Sequence, residues 1–276
     1  MKMDICPKVI AVTSGKGGVG KSTVAINLSL ALADAGKKVI LFDANLNLAG
    51  IDTALGIKPT KTILDLIEGR CLISEVLTPG PKGIKVACAS SGVEELMTIT
   101  ATQYYNIIKS FSDISNEIDY LIMDTGPGID KSVTTFLSAA HEILVVVSDD
   151  KSSISQAYSL IKVLNRNHGK YRFKLLSNMV SPAIGYKTYQ TLNKLADEFL
   201  DVSIEYIGSI SYCEFFRKTQ ASKYLKHKSV FRNKVLNEYS EVAFKIDKLP
   251  FRTTPRGNIE FFTELFLSQP REVNVQ

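Results

Sequence analysis

Apolar residues in this chain fall into two alternating patterns: short unbroken runs, and longer stretches in which they return every three or four positions. The runs KVIAVTS (8–14), KKVILFDA (37–44), IKVACAS (84–90), DYLIMD (119–124), EILVVVSD (142–149), RFKLLSN (172–178) and VSIEYIGSI (202–210) predict strands. Between them, KSTVAINLSLALADA (21–35), ATQYYNIIKSFSDI (101–114), DKSVTTFLSAA (130–140), SISQAYSLIKVLNR (153–166) and YKTYQTLNKLADEFL (186–200) predict helices, the first closed by Gly36. From about residue 213 the pattern turns mainly helical. Unbroken apolar strands suit a sheet covered on both faces. The first strand, helix and second strand form a βαβ unit. The alternation predicts an α/β fold, a mostly parallel sheet with helices on both faces, as a single domain over residues 1–250 with a tail over 251–276.

Composition narrows the class. The chain has 276 residues, 45% hydrophobic and 22% charged with mixed signs, as in folded proteins with a real core. Cys6, Cys71, Cys88 and Cys213 lack CxxC spacing, which points away from a disulfide framework or zinc site and toward a reducing cytosol. No apolar run is long enough to span a bilayer, and the N-terminus does not read as a secretory signal. Residues 215–237 carry seven Lys and Arg and no acid, so without them the net charge of +5 becomes −2. That stretch has three readings: a solvated helical face, a patch for anionic lipid, or a nonspecific DNA surface, with Tyr224 and Phe231 interleaved. No helix-turn-helix or RNA motif is seen. Three histidines and no G-x-S-x-G leave a Ser-His-Asp hydrolase unsupported.

The chemistry gathers at the end of the first strand. Residues 15–22, GKGGVGKS, fit the phosphate-binding pattern G-x-x-x-x-G-K-[ST] and lie between a predicted strand and a predicted helix. Gly15, Lys16, Gly17, Gly18, Val19, Gly20, Lys21, Ser22 and Thr23 are the candidate nucleotide-binding residues. Backbone N–H groups of such a loop wrap phosphates, and the helix that follows points its positive end at them. Lys21 is expected on the β- and γ-phosphates, and the Ser22 hydroxyl on Mg²⁺. Asp124 closes an apolar strand, where a second carboxylate faces the metal, and TGPGID (125–130) follows as a switch segment.

KGGVGKS, DANLNLAG and DTGPGI together resemble the deviant Walker-A ATPases of the MinD/ParA class, P-loop proteins of the SIMIBI type. TILDLIEGRCLISEVL (62–77), SSISQAYSLIKVLNRNHG (152–169) and PRGNIEFF (255–262) resemble the FlhG/FleN branch, which controls flagellar number. The resemblance implies an ATPase using ATP and Mg²⁺ that forms a homodimer with ATP bound. It implies that Lys16 crosses the dimer interface to the partner's ATP, where a cation stabilises transition-state charge like an arginine finger. It places Lys16, Asp43, Asn45 and Asp124 in catalysis, Ser22, Asp43 and Asp124 on the metal, and Asn178 on adenine. It also implies a flagellar transcriptional activator and a flagellar GTPase of the signal-recognition type as partners, in the cytoplasm or on the inner face of the cell membrane. The D-Q-A-x-x-L-R segment with which some members stimulate that GTPase has no match here.

Three positions depart from the pattern. The second acid of the family's D-x-D is Asn45, Asn47 stands where the branch usually has Gly, and Ser211 replaces a proline that borders the base. An amide can orient water but takes no proton, so slow hydrolysis is expected. A nucleotide-gated scaffold that does not hydrolyse, and a ParA-like DNA or polar-machine positioning ATPase, stay open as alternatives. NIEFFTELFLSQ (258–269) predicts an amphipathic helix, with Ile259, Phe262 and Phe266 on one face flanked by Phe261 and Leu265. It either binds membrane, as the resemblance implies, or docks on its own domain.

Overall fold

In the computed structural model, residues 6–46, 48–89, 99–214, 230–250 and 259–263 are described. β1 (Lys8–Thr13) runs through the glycine loop into α1 (Lys21–Asp34) and returns as β2 (Val39–Ala44). Short helices α2 (Ile51–Leu55), α3 (Ile63–Ile67) and α4 (Ile73–Val76) lead to β3 (Leu77–Pro79) and β4 (Lys85–Ala87). Then come α5 (Ala101–Ser110), β5 (Tyr120–Thr125), α6 (Lys131–Ala139), β6 (Glu142–Val147), α7 (Lys151–His168), β7 (Arg172–Asn178), α8 (Pro182–Phe199), β8 (Ser203–Ile210) and α9 (Val230–Lys248). The strands form one sheet in the order β3-β4-β2-β5-β1-β6-β7-β8. Every pairing is parallel except that of β3 with β4. β1 lies between β5 and β6, so the glycine loop opens at the middle of the sheet's carboxyl edge.

The strands are apolar throughout because alternate residues feed two cores. Val9, Ala11, Phe42, Met123 and Val145 face α5 to α8, where Phe111, Phe136 and Leu160 are fully buried. Ile10, Val12, Leu41, Ile122 and Leu144 face α1 and α9. Helix α1 is apolar nearly all round, because α9 packs along its outer side through Val235, Tyr239 and Val242. Such a helix is covered on every side rather than half-solvated.

The structure departs from the sequence expectations at element ends. The helix expected over 101–114 stops at Ser110 and tightens into 3₁₀ turns over Phe111–Glu117. The helix expected from 186 starts at Pro182, at the N-terminal position where proline's missing N–H is harmless. The antiparallel edge strand β3 was not expected, since LTP is too short to carry a period. The tail expectation is corrected at its start. Residues 259–262 are not helical, and Phe261 and Phe262 are buried while Ile259 is exposed. Phe261 packs against Phe111 with ring centroids 5.5 Å apart, its N–H donates to the Ala139 carbonyl, and its own carbonyl lies 3.3 Å from His141 Nε2. Burying two adjacent aromatic rings outweighs one turn of helix. Residues 258 and 264–269, most of the basic stretch including Tyr224, and Asn47 lie outside the described residues.

Candidate functional site

The loop from Gly15 to Gly20 is held from both sides. A Cβ built on Gly15 would lie 2.2 Å from the Gln156 backbone of α7, so only glycine allows that approach. Gly20 has φ +88°, and a Cβ there would meet Asn178 Nδ2 at 2.4 Å. That amide donates to the Val19 carbonyl at 2.8 Å. Asn178, expected on adenine, is buried and gives its amide N–H to the underside of the loop. Gly17 and Gly18 meet nothing within 4 Å, which leaves their side of the loop open. Thr23, in the first turn of α1, is half-buried.

Lys21, Ser22, Asp43 and Asp124 converge below the loop. The register pairs Asp43 of β2 directly with Asp124 of β5. Both carboxylates are buried. Burial first, and then the neighbouring Asp43, raise Asp124 to about 7, against the lowering effects of a Ser22 hydrogen bond and the Lys21 charge. Burial raises Asp43 to about 6 although three backbone N–H groups donate to it. Those donors are Asn45 at 3.3 Å, Gly50 at 3.0 Å and Ile51 at 3.2 Å, so Asp43 also anchors the loop that follows β2. Burial lowers Lys21, with Asp124 opposing.

Mg²⁺ fits these residues. Asp124 Oδ1 and Thr13 Oγ1 are buried without a hydrogen-bond partner among the described residues. An uncompensated carboxylate oxygen beside a serine hydroxyl and a second carboxylate is the all-oxygen donor set of that ion. Ser22 and Asp124 would hold it, with Asp43 behind them.

Asn45 donates its amide to the Leu48 carbonyl at 3.0 Å, and its Oδ1 would lie 3.1 Å from a Cβ on Gly126. The two loops after β2 and β5 thus touch at Asn45 and Gly126. The second loop is tied to the first glycine loop by Gly128 N–H donating to the Ser14 carbonyl at 2.9 Å.

Lys16 does not lie over the loop. Its ammonium is 2.8 Å from Asp150 Oδ1 at the N-terminus of α7. Asp150 also accepts from Ser148 Oγ at 2.6 Å and Ser153 N–H at 2.9 Å. These bonds, Lys16 foremost, lower Asp150 to about 2. Asp150 was not among the residues that the sequence singled out, and its pairing with Lys16 comes from the structure alone. The available signal was a helix cap, Asp followed three residues later by Ser153 before an apolar period. Ser211, in the place of the expected proline, donates through its N–H and its hydroxyl to Glu238 of α9 at 2.7 and 2.6 Å. Glu238 left no trace in the linear sequence.

Residues 7–176 match the family model described as an AAA domain. The antiactivator FleN of Pseudomonas aeruginosa is 45% identical over 264 residues, which cover 95% of this chain and 94% of that protein. The flagellum site-determining protein YlxH of Helicobacter pylori is 32% identical over 84% of this chain and 77% of its own length. Among solved structures, the septum site-determining protein MinD of Pyrococcus horikoshii, complexed with Mg-ADP, superposes with a TM-score of 0.69 at 20% identity, over 88% of this chain and 97% of that one.

Proposed function

The chain belongs to the MinD/ParA class of deviant Walker-A ATPases, in the branch of FleN, and from that premise we propose that it is an ATP-driven dimerising switch setting flagellar number and flagellar gene expression. The convergence of Lys21, Ser22, Asp43 and Asp124 beneath an open glycine loop carries this reading. In it, the loop N–H groups and Lys21 bind the triphosphate, with Gly17 and Gly18 on the open side. Mg²⁺, when bound, neutralises charge between the β- and γ-phosphates. Asn45, beside Gly126, orients the attacking water through its amide and takes no proton, so turnover is slow. Lys16 leaves Asp150 and crosses to the nucleotide of a second copy. Hydrolysis removes the charge that held it, and the pair separates.

The domain over 1–250 works in the cytoplasm, and its ATP-bound pair meets a flagellar transcriptional activator, a flagellar GTPase of the signal-recognition type, and the inner membrane face. The similarity to an antiactivator and to a flagellum site-determining protein supports the regulatory and flagellar parts. The Asn45 bond to Leu48 favours one second reading, a scaffold gated by nucleotide without hydrolysis. Single-turnover phosphate release with ATP separates the two.

The central test is sedimentation with ADP, ATP and a nonhydrolysable analogue, for the native chain and K16A. Native protein is expected to self-associate with ATP and the analogue, and K16A to stay monomeric with both while still binding nucleotide. Unchanged self-association of K16A would remove Lys16 from the contact between copies, and a native chain that stays monomeric with ATP would leave an ordinary monomeric nucleotide pocket.

A further inference from the structure

Strands β7 and β8 start at the amino edge of the sheet, opposite the edge at which the glycine loop opens. Farther along, the side of these strands that faces α9 is apolar, with Leu176, Ile207 and Ile210 in the core. At their starts the same side carries Arg172 and Lys174 of β7 beside Ser203 and Glu205 of β8. The strand pattern thus changes from apolar to charged before α9 ends. Together with the last turns of α9 these residues line a cleft of about 560 Å³, the size of a ligand pocket.

The lining is basic, with Arg172, Lys174, Lys245 and Lys248 against the single acid Glu205. Two of the cations are already engaged. Lys174 pairs with Glu205 and lies 3.8 Å from Glu142, and Lys245 donates to the Ile207 carbonyl at 2.8 Å. Arg172 and Lys248 form no ion pair among the described residues. Each lies over a ring instead, Arg172 over Tyr171 at 5.7 Å and Lys248 over Phe244 at 5.4 Å. Phe244 itself is 65% exposed on the wall of the cleft, with Pro250 nearby. Lysines in a last helical turn suit its carbonyl end, which accounts for Lys245 and Lys248 taken alone. It does not account for a bare phenylalanine between them, or for an arginine brought to the same cleft by a strand.

We infer that this cleft docks an acidic peptide segment carrying a large apolar side chain. Its carboxylates meet Arg172 and Lys248, and its apolar side chain packs on Phe244. Charge complementarity selects that occupant: an uncharged segment would leave both cations unanswered, and a basic one would be repelled. The site lies at the far edge of the sheet from the nucleotide loop and does not depend on the nucleotide reading.

The probe is a fluorescein-labelled synthetic peptide in which runs of glutamate flank a central leucine–phenylalanine pair. It is titrated into the full chain by fluorescence anisotropy. One control peptide has serine for every glutamate, and another has serine for the leucine–phenylalanine pair. The native chain is expected to hold the probe, and each control to bind about tenfold more weakly or less well still. F244A and the charge-reversed R172E/K248E should each weaken the probe by about tenfold, with circular dichroism unchanged because all three side chains are exposed. No binding of the probe, a serine control that binds equally well, or an affinity that neither variant changes would overturn the inference. So would duplex DNA or phosphatidylglycerol vesicles held as tightly as the probe and weakened equally by R172E/K248E, since the cleft would then be a general anion surface.

Discussion

Asn45 is where residue chemistry most directly sets behaviour. Its amide donates to Leu48 within its own loop, and its oxygen faces Gly126 of the loop after β5, so a neutral group stands where the two loops approach. Asn45→Asp would replace a donor by an acceptor facing the Leu48 carbonyl and add charge near Asp43. We expect turnover to rise by about tenfold or more, with a loss of about 1 kcal/mol in stability. Phosphate release and urea unfolding on the same preparation check both. Gly15 is the second residue-scale test. A methyl group there overlaps the Gln156 backbone, which no rotamer can relieve. Gly15→Ala should abolish nucleotide binding, read by calorimetry, and leave the far-ultraviolet circular dichroism intact.

At the scale of elements, the pairing of β2 with β5 puts two carboxylates side by side in a dry site. Their folded-state pKa values, about 6 for Asp43 and about 7 for Asp124, are raised chiefly by burial. The sign follows from linkage. Below the unfolded pKa of about 4 both states are protonated and no stability is lost. As pH rises toward 7 the unfolded chain releases protons that the folded chain retains, so stability falls. The metal-free, nucleotide-free protein should lose on the order of 6 kcal/mol between pH 4 and pH 7.5. Asp124→Asn should flatten most of that slope. Urea midpoints across the pH range measure it, with saturating Mg-nucleotide expected to oppose the loss at the alkaline end.

For the whole molecule, Phe261 and its neighbour Phe262 are rings that the core claims from beyond α9. Phe261 returns to the end of α6, whose N-terminus starts at the switch segment. Phe261→Ala should cost about 3–4 kcal/mol, as an emptied aromatic site does. Chemical denaturation gives the figure. A cost near zero would mean that the segment is not packed there in solution.

Local sequence carried the strands, the glycine loop and Asp124, because unbroken apolar runs and a fixed glycine-lysine spacing are properties of neighbours in the chain. It also carried the family resemblance, through short contiguous motifs. The partners of the key groups were invisible to it. Lys16 finds Asp150, Asn178 finds Val19, Ser211 finds Glu238 and Phe261 finds Phe111, each across many residues and through contacts that only the packed sheet creates. The same holds for the tail. Over 259–262 the helical period is not followed and the core takes Phe261 and Phe262, because burying large rings gains more than helix propensity offers. Periodicity reports what a segment prefers alone, while burial decides which of those preferences the folded chain keeps.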